Sequence, residues 1–171
     1  MANPSRWGAA LGGAAIALAA LVGCDAARVA RLQVGVSTEA DVRREFGEPA
    51  SVVDEPDGAR TFEYPRQPEG QENWFITLGP DGRLREIRQV LTPVHFARIV
   101  PGMDKAEVRR TLGRPAAART FALQPDEVWE WRYADGGQAL MFSVSFDADG
   151  RVRSTASGND PRYERGGPST Q

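Results

Sequence analysis

The chain contains one histidine, His95, and one cysteine, Cys24, so the side chains that most often perform catalysis are scarce. One histidine and one cysteine do not fill the ligand shell of a zinc ion. His95 lies in the stretch PVHFARI, and the sequence has no G-x-S-x-G, G-x-G-x-x-G or P-loop motif. We therefore interpret His95 as an ordinary, partly exposed helix residue. The sequence predicts neither an enzyme nor a cofactor.

Cys24 is the residue whose surroundings indicate a specific chemistry. Arg6 precedes an apolar run from Trp7 to Val22, and the letters LVGC close that run at Cys24. A positive start, an apolar stretch and small residues before a cut are typical of an export signal. The run is short and rich in alanine and glycine, which is weak for a transmembrane helix. A buried free thiol and an uncleaved signal anchor are the alternatives.

The LVGC ending resembles the lipobox of bacterial lipoproteins. This resemblance implies diacylglycerol on the Cys24 thiol, cleavage before Cys24 and acylation of the new amino group. Two or three acyl chains anchor a protein stably, whereas one chain does so only marginally. We therefore predict a lipoprotein signal peptide at residues 1–23 and a chain held by its lipid on a membrane of the cell envelope, facing the periplasm.

Charge excludes one large class of partners. The chain has 21 basic and 23 acidic side chains, which gives a formal net charge of −2. A general nucleic-acid binder carries a clear excess of positive charge to displace counterions from phosphates. We expect no nucleic-acid partner.

Aromatic and acidic side chains alternate in the segments FEY and WEW. Trp74, Trp129 and Trp131 are candidate partner-binding residues, because aromatic residues dominate interface hot spots. They are equally good core candidates, since large rings bury the most area. Period-2 alternation turns Glu63 and Glu130 away from the aromatic face. We expect these two carboxylates to face water or a partner.

Two arginine pairs follow an apolar residue on predicted helices, Arg43 with Arg44 and Arg109 with Arg110. The first interpretation is a solvated helix face with local ion pairs. The alternative is contact with anionic lipid headgroups, because the predicted anchor at Cys24 is near. Arg44 and Arg110 therefore join the candidate partner-binding residues.

These candidates are positioned by an internal repeat. EADVRREFGEP begins at Glu39, and KAEVRRTLGRP begins at Lys105. A repeated segment indicates a repeated supersecondary unit. We predict two modules, residues 24–91 and 92–157, each with two short helices followed by three strands.

Local signals set the limits of the second helix in each module. Asp104 and Glu107 form a capping-box pattern, as do Thr38 and Asp41. The sequences GEP and GRP then end the helices, because glycine takes a positive φ after a helix and proline prevents its continuation. Thr92 followed by Pro93 predicts the start of the first helix of the second module.

Alternating apolar and β-branched residues follow each helix pair. RTFEY, NWFITL and LREIRQVL predict the strands of the first module, and VWEWRY, ALMFSVSF and RVRSTAS those of the second. The fold class is therefore α+β, with short helices packed on antiparallel sheet. Residues 158–171 are rich in Gly, Pro, Ser, Thr and charge, and we predict a disordered tail there.

The segment PGMDKAEVRRTLGRP resembles the signature of the BamE/SmpA (OmlA) family of outer-membrane assembly lipoproteins. GVSTEADVRREFGEP resembles it with one inserted residue, although BamE has one module and this chain has two. The tandem arrangement is also similar to the β-lactamase inhibitor protein fold. The resemblance implies a non-enzymatic envelope lipoprotein that binds protein, with the β-barrel assembly machinery as partner and the outer membrane as location.

Two alternatives remain open. The tandem arrangement also fits an inhibitor or modulator of an extracytoplasmic hydrolase, with an acidic loop at Asp54-Glu55 or Asp126-Glu127 entering an active site. Asp25 directly follows Cys24, and an aspartate there is associated in some Gram-negative bacteria with retention at the inner membrane. The inner membrane is therefore the alternative location.

Overall fold

The computed structural model of the protein describes residues 24–121 and 124–164. The predicted signal peptide, residues 1–23, lies outside the described residues. The elements run in the order α1 (Cys24–Val29), α2 (Glu39–Phe46), β1 (Ser51–Asp54), β2 (Arg60–Pro65), β3 (Asn73–Leu78), β4 (Leu84–Gln89), α3 (Pro93–Phe96), α4 (Lys105–Leu112), β5 (Ala117–Phe121), β6 (Gln124–Asp135), β7 (Gln138–Phe146), β8 (Val152–Asn159) and α5 (Pro161–Glu164).

The strands form two antiparallel sheets in simple sequential order, β1-β2-β3-β4 and β5-β6-β7-β8. The predicted α+β class with two tandem modules is confirmed. Each module has four strands, one more than expected. The additional strands are the edge strands β1 and β5, which pair with β2 and β6. Their sequences, SVVD and AARTF, are short and lack clear alternation, so they gave no strand pattern.

The repeated helices begin and end where their caps predict. The Glu107 backbone N–H donates to the Asp104 carboxylate at 2.8 Å, and the Asp104 N–H donates to the Glu107 carboxylate at 2.8 Å. Thr38 and Asp41 form the same reciprocal pair at α2. Gly113 ends α4 with φ +74° and ψ −167°, so the chain leaves the helix in an extended direction that favours glycine.

Each module buries the apolar stripe of its capped helix against one face of its sheet. In the first module Val42 and Phe46 of α2 pack on Phe62, Tyr64 and Ile76. We call the sheet face that packs against the capped helix the inner face, and the opposite face of the same sheet the outer face. An eight-residue helix is marginal alone, so this packing is what stabilises it.

The second core draws on both modules. Val108 and Leu112 of α4 pack on Trp131, with Phe142 and Val144 beside it. Three buried residues from the first-module segment belong to the same cluster: Phe75, Val90 and Leu91. The predicted boundary at residue 91 therefore lies within a continuous core.

The chain stays ordered beyond the point where we predicted a disordered tail. Gly158 and Asn159 continue β8 and pair with Met141 and Leu140. Asp160 is fully buried, and Arg132 donates to its carboxylate at 3.1 Å. Backbone pairing and this ion pair hold residues 158–160, and α5 follows, although the composition is that of a flexible segment. For residues 158–164 the expectation was wrong, and residues 165–171 lie outside the described part of the chain.

Candidate interaction surfaces

The part of the outer face of the first sheet around Glu63 is covered by the second module. Glu63 lies on this face, is 5% exposed and accepts a hydrogen bond from Arg109 Nη1 at 2.6 Å. The backbone N–H of Arg114 donates to the same carboxylate at 2.6 Å, and Ser51 Oγ donates at 2.8 Å. The alternation that turned Glu63 away from its own helices is correct. The expectation that it meets water or a partner is wrong, because the end of α4 fills that space.

Asn73 and Phe75 complete this contact, which we call the module junction. Asn73 Nδ2 donates to the carbonyl oxygens of Leu112 and Arg114, at 2.8 and 3.0 Å. These carbonyls lie at the end of α4, where backbone acceptors lack helical partners. Asn73 therefore acts as a side-chain cap supplied by the other module.

Gly113 is the residue that lets the two modules approach so closely. A Cβ on Gly113 would lie 2.9 Å from Glu63 Oε1, 3.0 Å from Asn73 Nδ2 and 3.3 Å from Phe75 Cε1. The contact below 3.0 Å requires a shift in structure, and contacts of 3.0–3.4 Å are tighter than nine in ten of those that real Cβ atoms make. The glycine that stops the helix thus also seats it on the first sheet.

Electrostatics favours the charged form of Glu63 in this setting. Burial raises the pKa of the Glu63 carboxyl. Hydrogen bonds from Arg109, Ser51 and the Arg114 backbone lower the pKa by more than burial raises it. The net pKa lies below its ordinary value of 4.5. The junction is therefore held by a carboxylate that stays ionised at neutral pH.

The outer face of the second sheet is different. Strand register makes Glu130, Ser143 and Ala117 the counterparts of Glu63, Phe75 and Ser51. Glu130 is half-buried and accepts from Arg119 Nε at 2.9 Å within its own sheet. Apolar or small polar side chains surround it, and each of them is half-buried or exposed: Val128, Met141, Ser143, Ser145 and Ala156.

The three candidate tryptophans have unequal positions. Trp131 is fully buried, and its indole N–H donates to the Gly113 carbonyl at 3.1 Å. Of the two interpretations left open for Trp131, the core one holds and the partner-binding one does not, because the second core buries its whole side chain. Trp74 and Trp129 are half-buried at the edges of their cores, and their indole N–H groups donate to Glu72 and Glu127.

The arginine pairs divide into one residue that is engaged and one that is exposed. Arg109 is used in the module junction, and Arg43 donates to Glu39 at 2.8 Å on its own helix. Arg44 is 67% exposed and pairs with Asp41. Arg110 is exposed and has no ion-pair partner within residues 24–121 and 124–164.

His95 has a local structural role. Its Nδ1 lies 2.8 Å from Thr92 Oγ1, at the start of α3. Burial lowers the pKa of His95, and the positive charges of Arg98 and Arg88 lower it further. Over the part of the chain that the structure describes, no group of three or more His, Cys, Asp or Glu side chains is arranged to hold a metal ion.

Asp25 is buried at the start of the described chain, one residue after Cys24. Its carboxylate accepts two hydrogen bonds from Arg66, at 2.7 and 2.9 Å, and one from Arg28 at 2.7 Å. Burial raises the pKa of Asp25, but these hydrogen bonds outweigh burial and hold the pKa below its ordinary value. A cavity of about 440 Å³ adjoins this ion pair, lined also by Glu69, Gln71, Gln89 and Tyr163.

Sequence reasoning missed the junction residues Asn73 and Phe75 and the ion pair of Asp25 with Arg66. One signal for the first two was present. The copies agree at Glu63 and Glu130 but differ at neighbouring positions of the sheet. Asn73 and Phe75 in the first copy correspond to Met141 and Ser143 in the second. Such a difference between repeats indicates a surface used in one copy only. No local pattern indicates the contact of Asp25 with Arg66.

In residues 24–121 and 124–164, no helix is long and apolar enough to cross a membrane. No curated protein sequence matches the chain significantly.

Three solved structures are similar to parts of the chain. An osmotically inducible lipoprotein, OsmE, has 26% identity and a TM-score of 0.34, over 40% of this chain and 72% of its own. A DUF4309 family protein (YjgB) from Bacillus subtilis has 20% identity and a TM-score of 0.31, over 76% of this chain and 83% of its own. A β-lactamase inhibitor protein homologue from Streptococcus mutans has 10% identity and a TM-score of 0.34, over 80% and 96%. These TM-scores are too low to establish a shared function.

A family model gives the more specific result. Residues 89–156 match the outer membrane protein assembly factor BamE domain. This segment runs from the end of β4 to within β8, and it contains α4 and the sheet with the partly open outer face. The predicted resemblance to the BamE family is confirmed for this segment of the chain.

Proposed function

We propose that this protein is a lipid-anchored, non-enzymatic scaffold of the cell envelope that binds a protein component of outer-membrane assembly. The match of residues 89–156 to the BamE domain is the observation that carries this proposal. Fold alone does not determine function, so the surface that binds a partner has to be argued separately.

The outer face of the second sheet is the surface that we assign to the partner. The equivalent face of the first sheet is occupied by α4, which shows how such a face receives a helix end. The second face is partly exposed at Met141, Ser143 and Ala156. The small side chains Ser143 and Ala156 allow close approach of another backbone. Arg110, in the same module, is exposed.

The lipid anchor is the second part of the proposal. Acylated Cys24 would hold the folded chain at a membrane surface, and the outer membrane is the location that the BamE match favours. Asp25 makes the inner membrane the alternative. Mass spectrometry of the purified full-length protein tests the anchor, and membrane fractionation of cells tests the location. Residues 1–23 still attached, with a bare thiol at Cys24, would contradict the anchor.

Affinity capture from detergent-solubilised envelopes tests the partner. We expect the natively lipidated protein to enrich a subunit of the β-barrel assembly machinery. Ser143→Arg places a charge on the outer face and should abolish that enrichment. Ser157→Arg is the matched control, because Ser157 is exposed on the other side of the same sheet. No enriched subunit with the wild type, and no outer-membrane defect on deletion, would contradict the proposal.

The alternative of a hydrolase inhibitor lacks a specific observation in its favour. It expects an open sheet face with aromatic side chains next to an acidic loop. Phe75 lies on the outer face of the first sheet, but the second module covers it. Over residues 127–146, the outer face of the second sheet has no aromatic side chain.

A further inference from the structure

The first described residues are locked onto the folded body. Helix α1 begins at Cys24 itself, and the next side chain, Asp25, is 6% exposed. Both oxygens of Asp25 accept hydrogen bonds from Arg66, and Arg28 adds a third. A two-pronged arginine–carboxylate pair fixes direction as well as distance. The Cα of Cys24 lies about 3.8 Å from that of Asp25, because one peptide unit joins them.

The segment that holds Asp25 is itself attached to the second module. Gln67 follows Arg66 directly, and its amide pairs with the backbone of Arg132 in both directions, at 2.8 and 3.2 Å. Arg132 Nη1 also donates to the Pro68 carbonyl at 3.1 Å, and its Nε donates to buried Asp160. A continuous set of polar contacts therefore links the start of the chain to both sheets.

The surface around this ion pair carries an exposed tyrosine and an arginine, two residue types common in the headgroup layer of a membrane, beside the acidic Glu69 and Glu72. Tyr163 lines the same cavity as Asp25 and Arg28 and is 64% exposed. Tyrosine is enriched at membrane–water interfaces, where its ring and hydroxyl meet different surroundings. Arg28 is about one third exposed, and basic side chains next to an anchor are attracted to anionic lipids.

We propose that the Asp25–Arg66 ion pair is a positioning device that fixes the folded body on the bilayer, with the cavity, Arg28 and Tyr163 facing the lipid headgroups. The inference rests on the acylation of Cys24 in the proposed function. A bilayer is the partner of this surface because the chain emerges there at the acylated residue. A long flexible linker would let the body rotate freely, whereas a single peptide unit to a clamped side chain does not.

Site-specific fluorescence quenching tests the orientation. The full-length, natively lipidated protein is reconstituted in vesicles of phosphatidylethanolamine and phosphatidylglycerol. An acylated Cys24 leaves a newly introduced cysteine as the single free thiol, so Tyr163→Cys and Asp81→Cys each give one labelling position. Asp81 follows β3 at the end away from Asn73, roughly 20 Å along the six-residue strand. Lipids that carry a quencher in the headgroup then report which position is near the membrane.

We expect strong quenching at position 163 and weak quenching at position 81. In Asp25→Asn and in Arg66→Gln the two positions should become alike, because the body then turns about its anchor. Asp57→Asn is the control, since it removes an exposed ion pair with Arg85 at the far end of the first sheet. It should retain the wild-type contrast.

Separate measurements distinguish the ways in which the inference can fail. A mass spectrum that shows a bare Cys24 thiol overturns both the anchor and the orientation. An acylated protein in which positions 163 and 81 are quenched equally overturns the orientation alone. An acylated protein in which Asp25→Asn and Arg66→Gln keep the wild-type contrast overturns the role of the ion pair. If both variants lose their cooperative thermal unfolding, Asp25 is a folding residue and the proposal is wrong.

Discussion

The two sheets have the same strand order but different outer faces. In the first sheet Glu63, Asn73 and Phe75 receive the end of α4, and all three are buried. In the second sheet their counterparts in register are Glu130, Met141 and Ser143, which remain partly exposed. The repeat therefore preserves what closes each module on itself. The copies differ at two positions that receive the end of α4, where Asn73 and Phe75 of the first sheet correspond to Met141 and Ser143 of the second.

The ends of the equivalent helices α4 and α2 also differ in whether they contact the other module. Gly113 and Gly47 both have positive φ, at +74° and +82°. A Cβ on Gly113 would meet three side chains of the first sheet, whereas a Cβ on Gly47 would meet nothing within 4 Å. The repeated glycine has a backbone role in both copies and a packing role in one.

The largest contrast is expected at Phe75. Phe75→Ala removes a ring from the second core and should lower the free energy of unfolding by about 3–5 kcal/mol. Ser143→Ala, at the counterpart position, should change it by less than about 0.5 kcal/mol. Denaturant unfolding of both variants measures the difference. Equal effects would mean that Phe75 does not belong to a shared core.

The second largest contrast in unfolding free energy is expected between Glu63 and its counterpart Glu130. Glu63→Gln leaves Arg109 and the Arg114 backbone without their charged acceptor and should cost about 2–3 kcal/mol. Glu130→Gln breaks an ion pair with Arg119, which is 62% exposed, so its effect should stay below about 0.5 kcal/mol. The same unfolding measurement applies. A large loss for Glu130→Gln would show that the second outer face is covered in solution.

A smaller difference in unfolding free energy is expected between the equivalent helix-end glycines Gly113 and Gly47. Both Gly113→Ala and Gly47→Ala strain a positive-φ backbone, so each should destabilise the protein. Gly113→Ala should cost about 1–2 kcal/mol more, because its Cβ displaces the first sheet. Thermal unfolding of the two variants provides the measurement. Indistinguishable midpoints would contradict the close approach of the modules.

The smallest contrast is one of pH dependence. The folded-state pKa of Glu63 lies below its ordinary value of 4.5, so its contribution to stability is fully present above that pH. The contribution is lost as pH falls below 4.5 and the carboxylate takes up a proton. Glu63→Gln should therefore flatten the acid side of the curve of unfolding free energy against pH, relative to the wild type. Parallel curves for the wild type and Glu63→Gln would refute this account.

Local features of the fold were predictable because their causes are adjacent in sequence. Asp104 and Glu107 set the start of α4, and Gly113 sets its end, through bonds within a few residues. The alternation of Trp129, Glu130 and Trp131 was enough to place two faces of a strand. Non-local features were not predictable in this way. Alternation says which way Glu63 points, but only the packing of the modules says that Arg109 is there.

The candidate site shows the same limit. Arg44 and Arg110 were candidate partner-binding residues, and each is the exposed member of its pair; neighbours on a helix lie about 100° apart, so the two arginines of a pair face different directions. For Trp131 the sequence left core and partner contact open, because hot-spot and core residues are the same residue types. The contact of Asp25 with Arg66 joins residues far apart in sequence. Nothing near either residue indicates it.

Phe75 has a practical consequence for anyone who wishes to express the halves separately. Truncation at residue 91 would leave a cavity in the core of the downstream half, which contains Val108, Leu112 and Trp131. In the upstream half, the Phe75 ring would be exposed to solvent. Neither fragment would then be expected to fold as it does in the intact chain. Because Phe75, Val90 and Leu91 fill the core of the second module, we expect the two modules to unfold together as one cooperative unit.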